Sequence, residues 1–166
     1  MQKITPMLWF DDQAEQAADH YIFVFSKRPG RNRGESRILS VSRYGEAGPG
    51  PAGSVMVALF QLEGQEFTAL NGGPQPFAFS EAISFVVNCE TQDEVDYFWR
   101  ALSEGGEEGP CGWLKDRFGL SWQVTPIGME RMLNDPDQQK AQRAMRAMLG
   151  MKKIEIAALE RAFAGE

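Results

Sequence analysis

A strand followed by a helix occurs twice in this chain, and this repetition limits the possible folds more than any other feature of the sequence. The first copy is the apolar run ITPMLWF, from Ile4 to Phe10, followed by DDQAEQAADHYIFVF. The second is AISFVVNC, from Ala82 to Cys89, followed by ETQDEVDYFWRALSEGG. Apolar residues recur at helical spacing after each strand, which predicts an amphipathic helix in both places.

Both predicted helices begin with the pattern of a capping box, in which a polar side chain is followed three residues later by a glutamate. Asp12 and Glu15 supply this pattern in the first copy. Thr91 and Glu94 supply it in the second copy, 79 positions further along. Gly105 is placed to end the second helix. The same local start in both copies indicates a duplicated unit.

Each strand–helix pair precedes segments with the alternation and turn residues of β-strands. These are SRILSVSRY, GSVMVALFQLEG and QEFTALNGG in the first half, and EGPCGWLKD and GLSWQVTP in the second. We therefore predict an α+β fold of two βαβββ modules, residues 1–73 and residues 80–126. The segment GGPQPFAFS between them has the glycine and proline content of a linker.

Residues 128–164 differ in character and predict extra C-terminal helices, with breaks at Pro136 and Gly150. Their apolar residues, Met148 and Phe163 among them, are too numerous for helices surrounded by water. Something must cover these faces. The sequence leaves two alternatives, the sheet of the same chain or a second copy of the chain.

Composition and charge narrow the class of protein. The net charge is −6, whereas nucleic-acid-binding proteins concentrate lysine and arginine on one face, so we expect no nucleic-acid partner. The N-terminal MQKITPMLWFDDQ reaches acidic residues after a short apolar run, which predicts neither a signal peptide nor a membrane span. Cys89 and Cys111 lack metal-ligand spacing and are typical of reduced thiols. We expect a cytoplasmic protein with no membrane partner.

Six phrases of the sequence resemble the PhnB-like branch of the vicinal oxygen chelate superfamily. They are ITPMLWFDDQAEQAADHY, FTALNGGP, FAFSEAISFVVNC, CGWLKDRFGLSWQVTP, KAQRAMRAML and MKKIEIAALERAF. The superfamily includes glyoxalase I, fosfomycin-resistance proteins, bleomycin-resistance proteins and extradiol dioxygenases. Apart from a loop at about residues 26–52, the resemblance covers nearly the whole chain, so residues 1–166 are expected to form a single domain of this kind.

The resemblance implies that each module makes a curved mixed sheet and that the two modules enclose a cavity. It also implies that dimers are usual, and we expect a homodimer. Members of this branch often carry the name 3-demethylubiquinone 3-methyltransferase. That name describes a reaction rather than an architecture, and a fold does not settle a function.

Metal-dependent members of the superfamily place His, Glu or Gln at the inward ends of four strands. The resemblance puts these four places at Thr5, near Ala69, at Ala82 and at Gln123. Three of them offer no side chain that ligates a divalent metal in this manner, and a lone amide oxygen is a poor ligand. The single histidine, His20, lies inside the first predicted helix. We therefore predict no metal and no other cofactor.

No motif supports the methyltransferase name. The usual adenosylmethionine fold needs a glycine-rich turn after its first strand, and FDDQAE stands there instead. The glycine-rich GEAGPGPAG, from Gly45 to Gly53, is expected to form a hairpin loop. Cys111 has no histidine placed to activate it, so it either lines the cavity or is packed.

Strand alternation predicts which residues line the cavity, because alternate side chains point to the same face. A small-molecule site combines apolar walls with a few hydrogen-bonding groups. The predicted cavity residues are Thr5, Met7, Trp9, Asn71, Ser84, Val86, Cys111, Ser121 and Gln123. Trp122, which alternates with Gln123, is then expected in the core. Gly119 is expected to supply the unusual backbone angles of the turn that begins at Lys115.

A cluster of cations stands out in this acidic chain. Its members are Lys27, Arg28, Arg31, Arg33, Arg37 and Arg43. Arg37 and Arg43 are predicted in or beside the second strand, where a guanidinium can hold a phosphate, phosphonate or carboxylate. The alternative is a solvated loop and strand edge whose charges prevent aggregation.

Three hypotheses for function follow. The first is a protein that binds a small organic molecule in the cavity between the modules without the usual metal. The second is an enzyme acting in the same cavity, either a methyltransferase or a lyase. The third is an interaction protein whose sheets and helices form only a dimer surface. The sequence does not identify a ligand.

Overall fold

The computed structural model describes residues 2–30 and 34–166, so Arg31 and Arg33 of the cation cluster lie outside the described residues. The chain divides into two compact units, Met1–Ala78 and Phe79–Glu166. Each unit contains one four-stranded mixed sheet and a helix between its first and second strands. This architecture confirms the predicted α+β fold of two βαβββ modules with C-terminal helices.

The first unit contains four strands and one helix. They are β1 (Met7–Phe10), α1 (Ala14–Ser26), β2 (Arg37–Arg43), β3 (Val55–Leu62) and β4 (Gln65–Asn71). The strand order is β1-β4-β3-β2, with β1 parallel to β4 and the other pairs antiparallel. The buried face of α1 presents small residues and Tyr21 to the sheet, where the ring stacks against Phe60. Alanines in this face allow helix and sheet to approach closely.

The start of helix α1 differs from the prediction. The helix begins at Ala14 without a side-chain hydrogen bond from its N-cap residue, so the capping box expected at Asp12 and Glu15 is wrong. The backbone N–H of Ala14 instead donates to Asn71 Oδ1 at 2.7 Å, and Asn71 Nδ2 donates to the carbonyl of Val55 at 3.1 Å. An amide from the end of β4 thus replaces the local cap, which sequence spacing cannot reveal.

The glycine-rich segment between β2 and β3 is a loop folded around Tyr44, which confirms its assignment as a hairpin loop. A Cβ atom on Gly48 would lie 2.5 Å from Tyr44 Cδ1, and one on Gly50 would lie 2.4 Å from Cδ2. The two glycines therefore let the backbone approach the ring closely. The Tyr44 hydroxyl donates to the carbonyl of Asn71 at 2.5 Å.

The second unit begins with an equivalent sheet. Its elements are β5 (Ser84–Cys89), α2 (Gln92–Ser103), β6 (Glu107–Glu108), β7 (Trp113–Lys115) and β8 (Ser121–Pro126). The strand order is β5-β8-β7-β6, with β5 parallel to β8. The two-residue strand β6 was not resolved by the sequence pattern. Trp122 is 2% exposed, which confirms its predicted place in the core.

Helix α2 has the capping box that the sequence predicts. Thr91 Oγ1 accepts from the N–H of Glu94 at 3.2 Å, and Glu94 Oε2 accepts from the N–H of Glu90 at 2.6 Å. The glutamate thus reaches one residue further back than in the usual capping box. The apolar face of α2 is buried against the sheet. As predicted, it contains Val95, Phe98, Trp99 and Leu102.

The turn between β7 and β8 is held by a buried carboxylate. Gly119 has φ +85°, which confirms its predicted role. Asp116 is 3% exposed, and its Oδ1 accepts from the N–H groups of Phe118 at 2.8 Å and Leu120 at 3.0 Å. Its Oδ2 accepts from Trp122 Nε1 at 2.8 Å. Asp116 therefore joins the turn to the core, a role that its position in the sequence does not signal.

Three helices follow β8, and the predicted breaks separate them. They are α3 (Met129–Leu133), α4 (Gln138–Leu149) and α5 (Ile156–Ala164). Ile154 and Leu159 are fully buried in a cluster formed by these helices and the segment between them. The N–H groups of Cys111 and Gly112 donate to the carbonyls of Met151 at 2.8 Å and Lys152 at 2.7 Å. The C-terminal helices and the segment between them therefore cover these residues, rather than the sheet that was one predicted alternative; the other alternative, a second copy of the chain, stays a prediction.

The part of the chain that the structure describes contains no helix long and apolar enough to cross a membrane.

Candidate functional site

The face of the second sheet opposite α2 collects most of the predicted cavity residues of this unit. Directly paired residues on neighbouring strands point to the same face. One row across the four strands is therefore Ser84, Ser121, Lys115 and Glu107, and the next row is Val86, Gln123 and Trp113. We call these seven residues the open face of the second sheet. The register agrees with the predicted alternation of Ser84, Val86, Ser121 and Gln123.

A hydrogen bond joins two of the predicted residues across β5 and β8. Gln123 Nε2 donates to Ser84 Oγ at 2.9 Å. Val86 beside them is 52% exposed, although it is apolar. Polar and apolar groups thus alternate along this part of the open face, as they do in small-molecule sites.

A pocket of about 370 Å³ lies at the β7 and β6 side of the open face. Its lining residues are Glu81, Glu107, Glu108, Gly109, Pro110, Trp113, Leu114, Lys115 and Ser121. Strand alternation predicts Ser121 among them but not the wall formed by Trp113, Lys115 and Glu81. Register places Trp113 and Lys115 beside β8, and an ion pair brings Glu81, which precedes β5, to Lys115. Neither contact can be counted along one strand.

Ser121 is the most unusual residue of the pocket. It is 1% exposed, and its Oγ has no hydrogen-bond partner among the described residues. A buried polar group without a partner costs about 1–3 kcal/mol. Native structures contain few such groups, and each one needs an explanation. A hydroxyl of this kind in a pocket wall is therefore a candidate ligand contact.

Lys115 lies directly across from Ser121 and is paired with an acidic residue. Its Nζ is 2.5 Å from Glu81 Oε1. The hydrogen bond that Lys115 donates to Glu81 raises the pKa of Lys115, and the charges of Glu81 and Glu107 act in the same direction. The same hydrogen bond lowers the pKa of the Glu81 carboxyl group. Lys115 is therefore protonated at neutral pH and supplies a charge and hydrogen bonds rather than a nucleophile.

Cys111, another predicted cavity residue, lies in the loop before β7. Its φ is +56°, and its side chain is half-buried. Its backbone N–H donates to the carbonyl of Met151 in the C-terminal segment. The residues lining the 370 Å³ pocket do not include it. The prediction that Cys111 contacts a ligand stays a prediction.

The first unit holds the remaining predicted residues. Met7 and Trp9 pair with Thr68 and Leu70, which places all four on the face opposite α1. Met7 is 61% exposed. Trp9 Nε1 donates to the carbonyl of Gly73 at 3.0 Å. The Met7 and Trp9 side chains therefore share a face, as the alternation predicts, and Trp9 already has a partner for its N–H.

Thr5 and Asn71 have different surroundings. Thr5 precedes β1 and is half-buried. Asn71 pairs with Phe10, so its side chain lies on the α1 side of the sheet, where it bonds Ala14 and Val55. Its two hydrogen bonds give it a structural role, while a part in ligand binding stays a prediction.

The two arginines predicted to bind an anion lie at opposite ends of β2. Arg37 Nε is 2.8 Å from Glu35 Oε2, and Arg43 Nη1 donates to the carbonyl of Gly53 at 3.1 Å. Six residues of extended strand separate them by about 20 Å. One small anion therefore cannot contact both. Arg28, from the same cluster, pairs with Glu63 at 2.6 Å.

The four places expected for metal ligands do not fit a divalent metal. Ala69 is fully buried on the α1 side of its sheet, and Ala82 lies just before β5. Gln123 donates its amide N–H to Ser84, and Thr5 offers only a hydroxyl. Within residues 2–30 and 34–166, no group of three or more His, Cys, Asp or Glu side chains is placed to hold a metal ion. We assign no chemical step to a metal here.

The two βαβββ units, each with a four-stranded mixed sheet and a helix between its first and second strands, define the class as a duplicated α+β protein. A family model described as 3-demethylubiquinone-9 3-methyltransferase matches residues 2–125. The chain belongs to this family and to its PhnB-like branch. The matched region ends before helices α3, α4 and α5.

Three solved structures illustrate the likeness. A PhnB protein from Bacillus cereus, which carries the 3-demethylubiquinone-9 3-methyltransferase name, is 37% identical with a TM-score of 0.64, covering 76% of this chain and 100% of that one. A protein from Pseudomonas aeruginosa is 22% identical with a TM-score of 0.59, covering 76% and 98%. A glyoxalase/bleomycin resistance protein from Albidiferax ferrireducens is 16% identical with a TM-score of 0.43, covering 75% and 98%. No curated protein sequence matches this chain significantly.

Proposed function

We propose that this protein binds a small, partly apolar organic molecule in the pocket on the open face of the second sheet, without a metal. The observation that carries the proposal is the Ser121 hydroxyl, which is buried in the pocket wall and has no hydrogen-bond partner among the described residues. The pocket volume of about 370 Å³ suits a small ligand.

The chemistry of the wall supports the same proposal. Trp113 and Pro110 provide apolar surface, and Lys115 and Ser121 provide polar groups. An apolar surface supplies affinity through burial, while a few placed polar groups fix orientation. A ligand that hydrogen-bonds to Ser121 would relieve the cost of leaving that hydroxyl unpaired.

The neighbouring row of the open face can extend the site. Gln123 gives its amide N–H to Ser84, which fixes the orientation of the side chain. Its Oε1 accepts no hydrogen bond from the residues that the structure describes. We propose that this oxygen and the exposed Val86 contact the part of the ligand that projects beyond the pocket.

The family name offers the alternative of methyl transfer from adenosylmethionine, and the superfamily offers that of a lyase. Both would use the same pocket. The contacts described above favour neither reaction over binding, because no activated nucleophile or acid–base pair is identified among them. Binding is therefore the function proposed first.

Mass spectrometry of small molecules released from the purified protein tests the proposal. Wild type is compared with Ser121→Ala, which removes the hydroxyl, and with Ser42→Ala, which makes the same change on exposed β2. We expect a molecule enriched in wild type and Ser42→Ala and depleted in Ser121→Ala. The proposal fails if wild type releases nothing specific and no member of a metabolite library raises its melting temperature.

The same material distinguishes the alternative. Calorimetric titration with adenosylmethionine is expected to show no stoichiometric binding. Saturable one-to-one binding, with loss of the methyl group to a second molecule, would favour the methyltransferase.

We also propose a homodimer. The sheet order leaves β5 at an edge of the second sheet, and Ile83 beside it is 70% exposed. An exposed sheet edge with apolar residues is a surface that proteins usually cover. Light scattering coupled to size exclusion is expected to give a mass twice that of the 18.5 kDa chain. Ile83→Lys is expected to shift the measured mass towards that of a single chain. A monomeric wild type would contradict this.

A further inference from the structure

We infer that the ligand of the open-face pocket is a small organic cation, with its charged group towards Glu107 and its apolar body against Trp113. The inference rests on the proposed function, since it specifies the ligand class of the same pocket. It starts from the charge of the wall, the place of Trp113 and the unpaired Ser121 hydroxyl.

The pocket wall carries more acidic than basic side chains. Three glutamates line it, and Lys115 is the basic residue among the lining residues. Lys115 Nζ forms an ion pair with Glu81 Oε1 at 2.5 Å. Glu108 Oε1 accepts from Trp99 Nε1 at 3.0 Å. Glu107 acts on the charge of Lys115 at longer range but has no ion-pair partner within 4 Å among the described residues, so its carboxylate oxygens remain open to a ligand.

An anionic ligand is disfavoured by the same arrangement. It would have to separate Lys115 from Glu81 and then remain close to Glu107, which pairs directly with Lys115 across β6 and β7. The negative charges of such a ligand and of Glu107 would repel each other. A cation instead gains from Glu107 without breaking the ion pair of Lys115 with Glu81, and that pair offsets the repulsion from Lys115.

Carboxylates alone would not define a site, but Ser121 points to a ligand independently. Its buried hydroxyl lies in the wall of the same pocket and has no partner within the described chain. The free protein closes this oxygen off from solvent, so an amine or a hydroxyl on the ligand can donate to it once the side chains around Ser121 move aside. The charge and the unpaired hydroxyl therefore mark the same space.

The register of three strands places Lys115 between Glu107 and Ser121, and the ring of Trp113 diagonal to both. Trp113 pairs with Gln123, which makes it the diagonal neighbour of Ser121 on β8. It is also the diagonal neighbour of Glu107 on β6. Diagonal neighbours lie about 7–8 Å apart. A single-ring ligand stacked on Trp113 therefore reaches both groups, and an indole face attracts a cation.

Three probes with the same ring and different charges test the inference. They are 2-phenylethylamine, 2-phenylethanol and 3-phenylpropionate. Two-dimensional NMR of the full chain follows the indole N–H of Trp113, which Trp113→Phe assigns. We expect the amine to bind about 10-fold more tightly than the alcohol, from one exposed ion pair and one cation–π contact. The propionate is expected to bind most weakly.

Glu107→Gln tests the charged group directly. It is expected to weaken amine binding about 3-fold and to leave alcohol binding unchanged. Glu160→Gln makes the same change of charge on exposed α5, away from the pocket wall, and is expected to alter neither. Loss of affinity for the amine and the alcohol alike would overturn the role of Glu107.

The remaining outcomes separate the inference from the proposed function. Equal binding of the amine and alcohol, or tightest binding of the propionate, overturns the cation inference and supports the pocket as a binding site. If none of the three probes shifts the Trp113 signal, the cation inference is also overturned. The release experiment then decides independently whether the protein binds any small molecule.

Discussion

Helix α1 and helix α2 occupy equivalent places in their units, yet their first turns are held differently. The N–H of Ala14 finds its acceptor in Asn71, at the end of β4, whereas the N–H of Glu94 finds it in Thr91, three residues away. Strand order is the same in both units. A duplicated fold thus preserves the path of the backbone while its polar contacts diverge.

The two sheets also differ on the faces turned away from their helices. In the first unit Trp9 donates its N–H to Gly73. In the second, Ser121 has a buried hydroxyl without a described partner, in a pocket whose wall includes Glu107. Unsatisfied buried groups are costly, so they persist where a function uses them. This difference is why the candidate site is assigned to the second sheet.

The largest effect on stability is expected in the second unit, at Asp116. Asp116→Ala leaves two backbone N–H groups and Trp122 Nε1 without their acceptor, and should lower the free energy of unfolding by about 3–4 kcal/mol. Urea denaturation measures it. Asp19→Ala on exposed α1 is the matched control. A loss below about 1 kcal/mol would show that the turn forms without this carboxylate.

The next effect compares the two helix starts. Asn71→Ala removes hydrogen bonds to Ala14 and Val55 and should cost about 2 kcal/mol, while Thr91→Ala should cost about 1 kcal/mol. Asp12→Ala should change stability little, because α1 has no local side-chain cap. Equal losses of unfolding free energy for Asp12→Ala and Thr91→Ala would show that a local capping box holds both helices.

A smaller effect with the opposite sign is expected at Ser121. Ser121→Ala removes a buried hydroxyl that has no described partner, so the free protein should gain up to about 1 kcal/mol in its free energy of unfolding. Urea denaturation of ligand-free protein measures this, with Ser84→Ala as the comparison, because Ser84 accepts from Gln123. A marked loss of stability at Ser121 would reveal a hydrogen bond there and weaken the proposed site.

The smallest effect concerns the contact between α2 and the C-terminal segment. The hydrogen bond from Lys153, followed by that from Gln92, lowers the pKa of Asp96 below its usual 3.8. A carboxyl group whose pKa is lowered by folding stabilises the protein above its unfolded pKa, and this contribution is lost as pH falls through the folded pKa.

Asp96→Asn should therefore be less stable than wild type at pH 7 by no more than about 0.5 kcal/mol, because both partners are partly exposed. The difference should shrink as the pH falls below 3.8. Thermal unfolding across pH 2–7, with Asp19→Asn as control, measures the curve. A difference that stays constant with pH would contradict the ion pair.

Local sequence patterns predicted much of the fold. Thr91 and Glu94 lie three residues apart, so a capping box could be read directly, and the alternation of Trp122 with Gln123 identified a buried and an open side of β8. The capping box predicted at Asp12 was wrong because the N–H of Ala14 donates to Asn71, which is distant in the sequence. Glu107 was missed because β6 is only two residues long, too short for a period to show.

The amino-acid sequence by itself determined the duplicated βαβββ plan, the helix breaks at Pro136 and Gly150, and the faces of the strands, because these depend on periods of two or 3.6 residues along one chain. Only the tertiary structure decided that Asp116 anchors Trp122 and that Trp113 lies diagonal to both Ser121 and Glu107. Hydrogen-bond partners and pocket walls are set by the pairing of strands, which joins residues that are far apart in the chain.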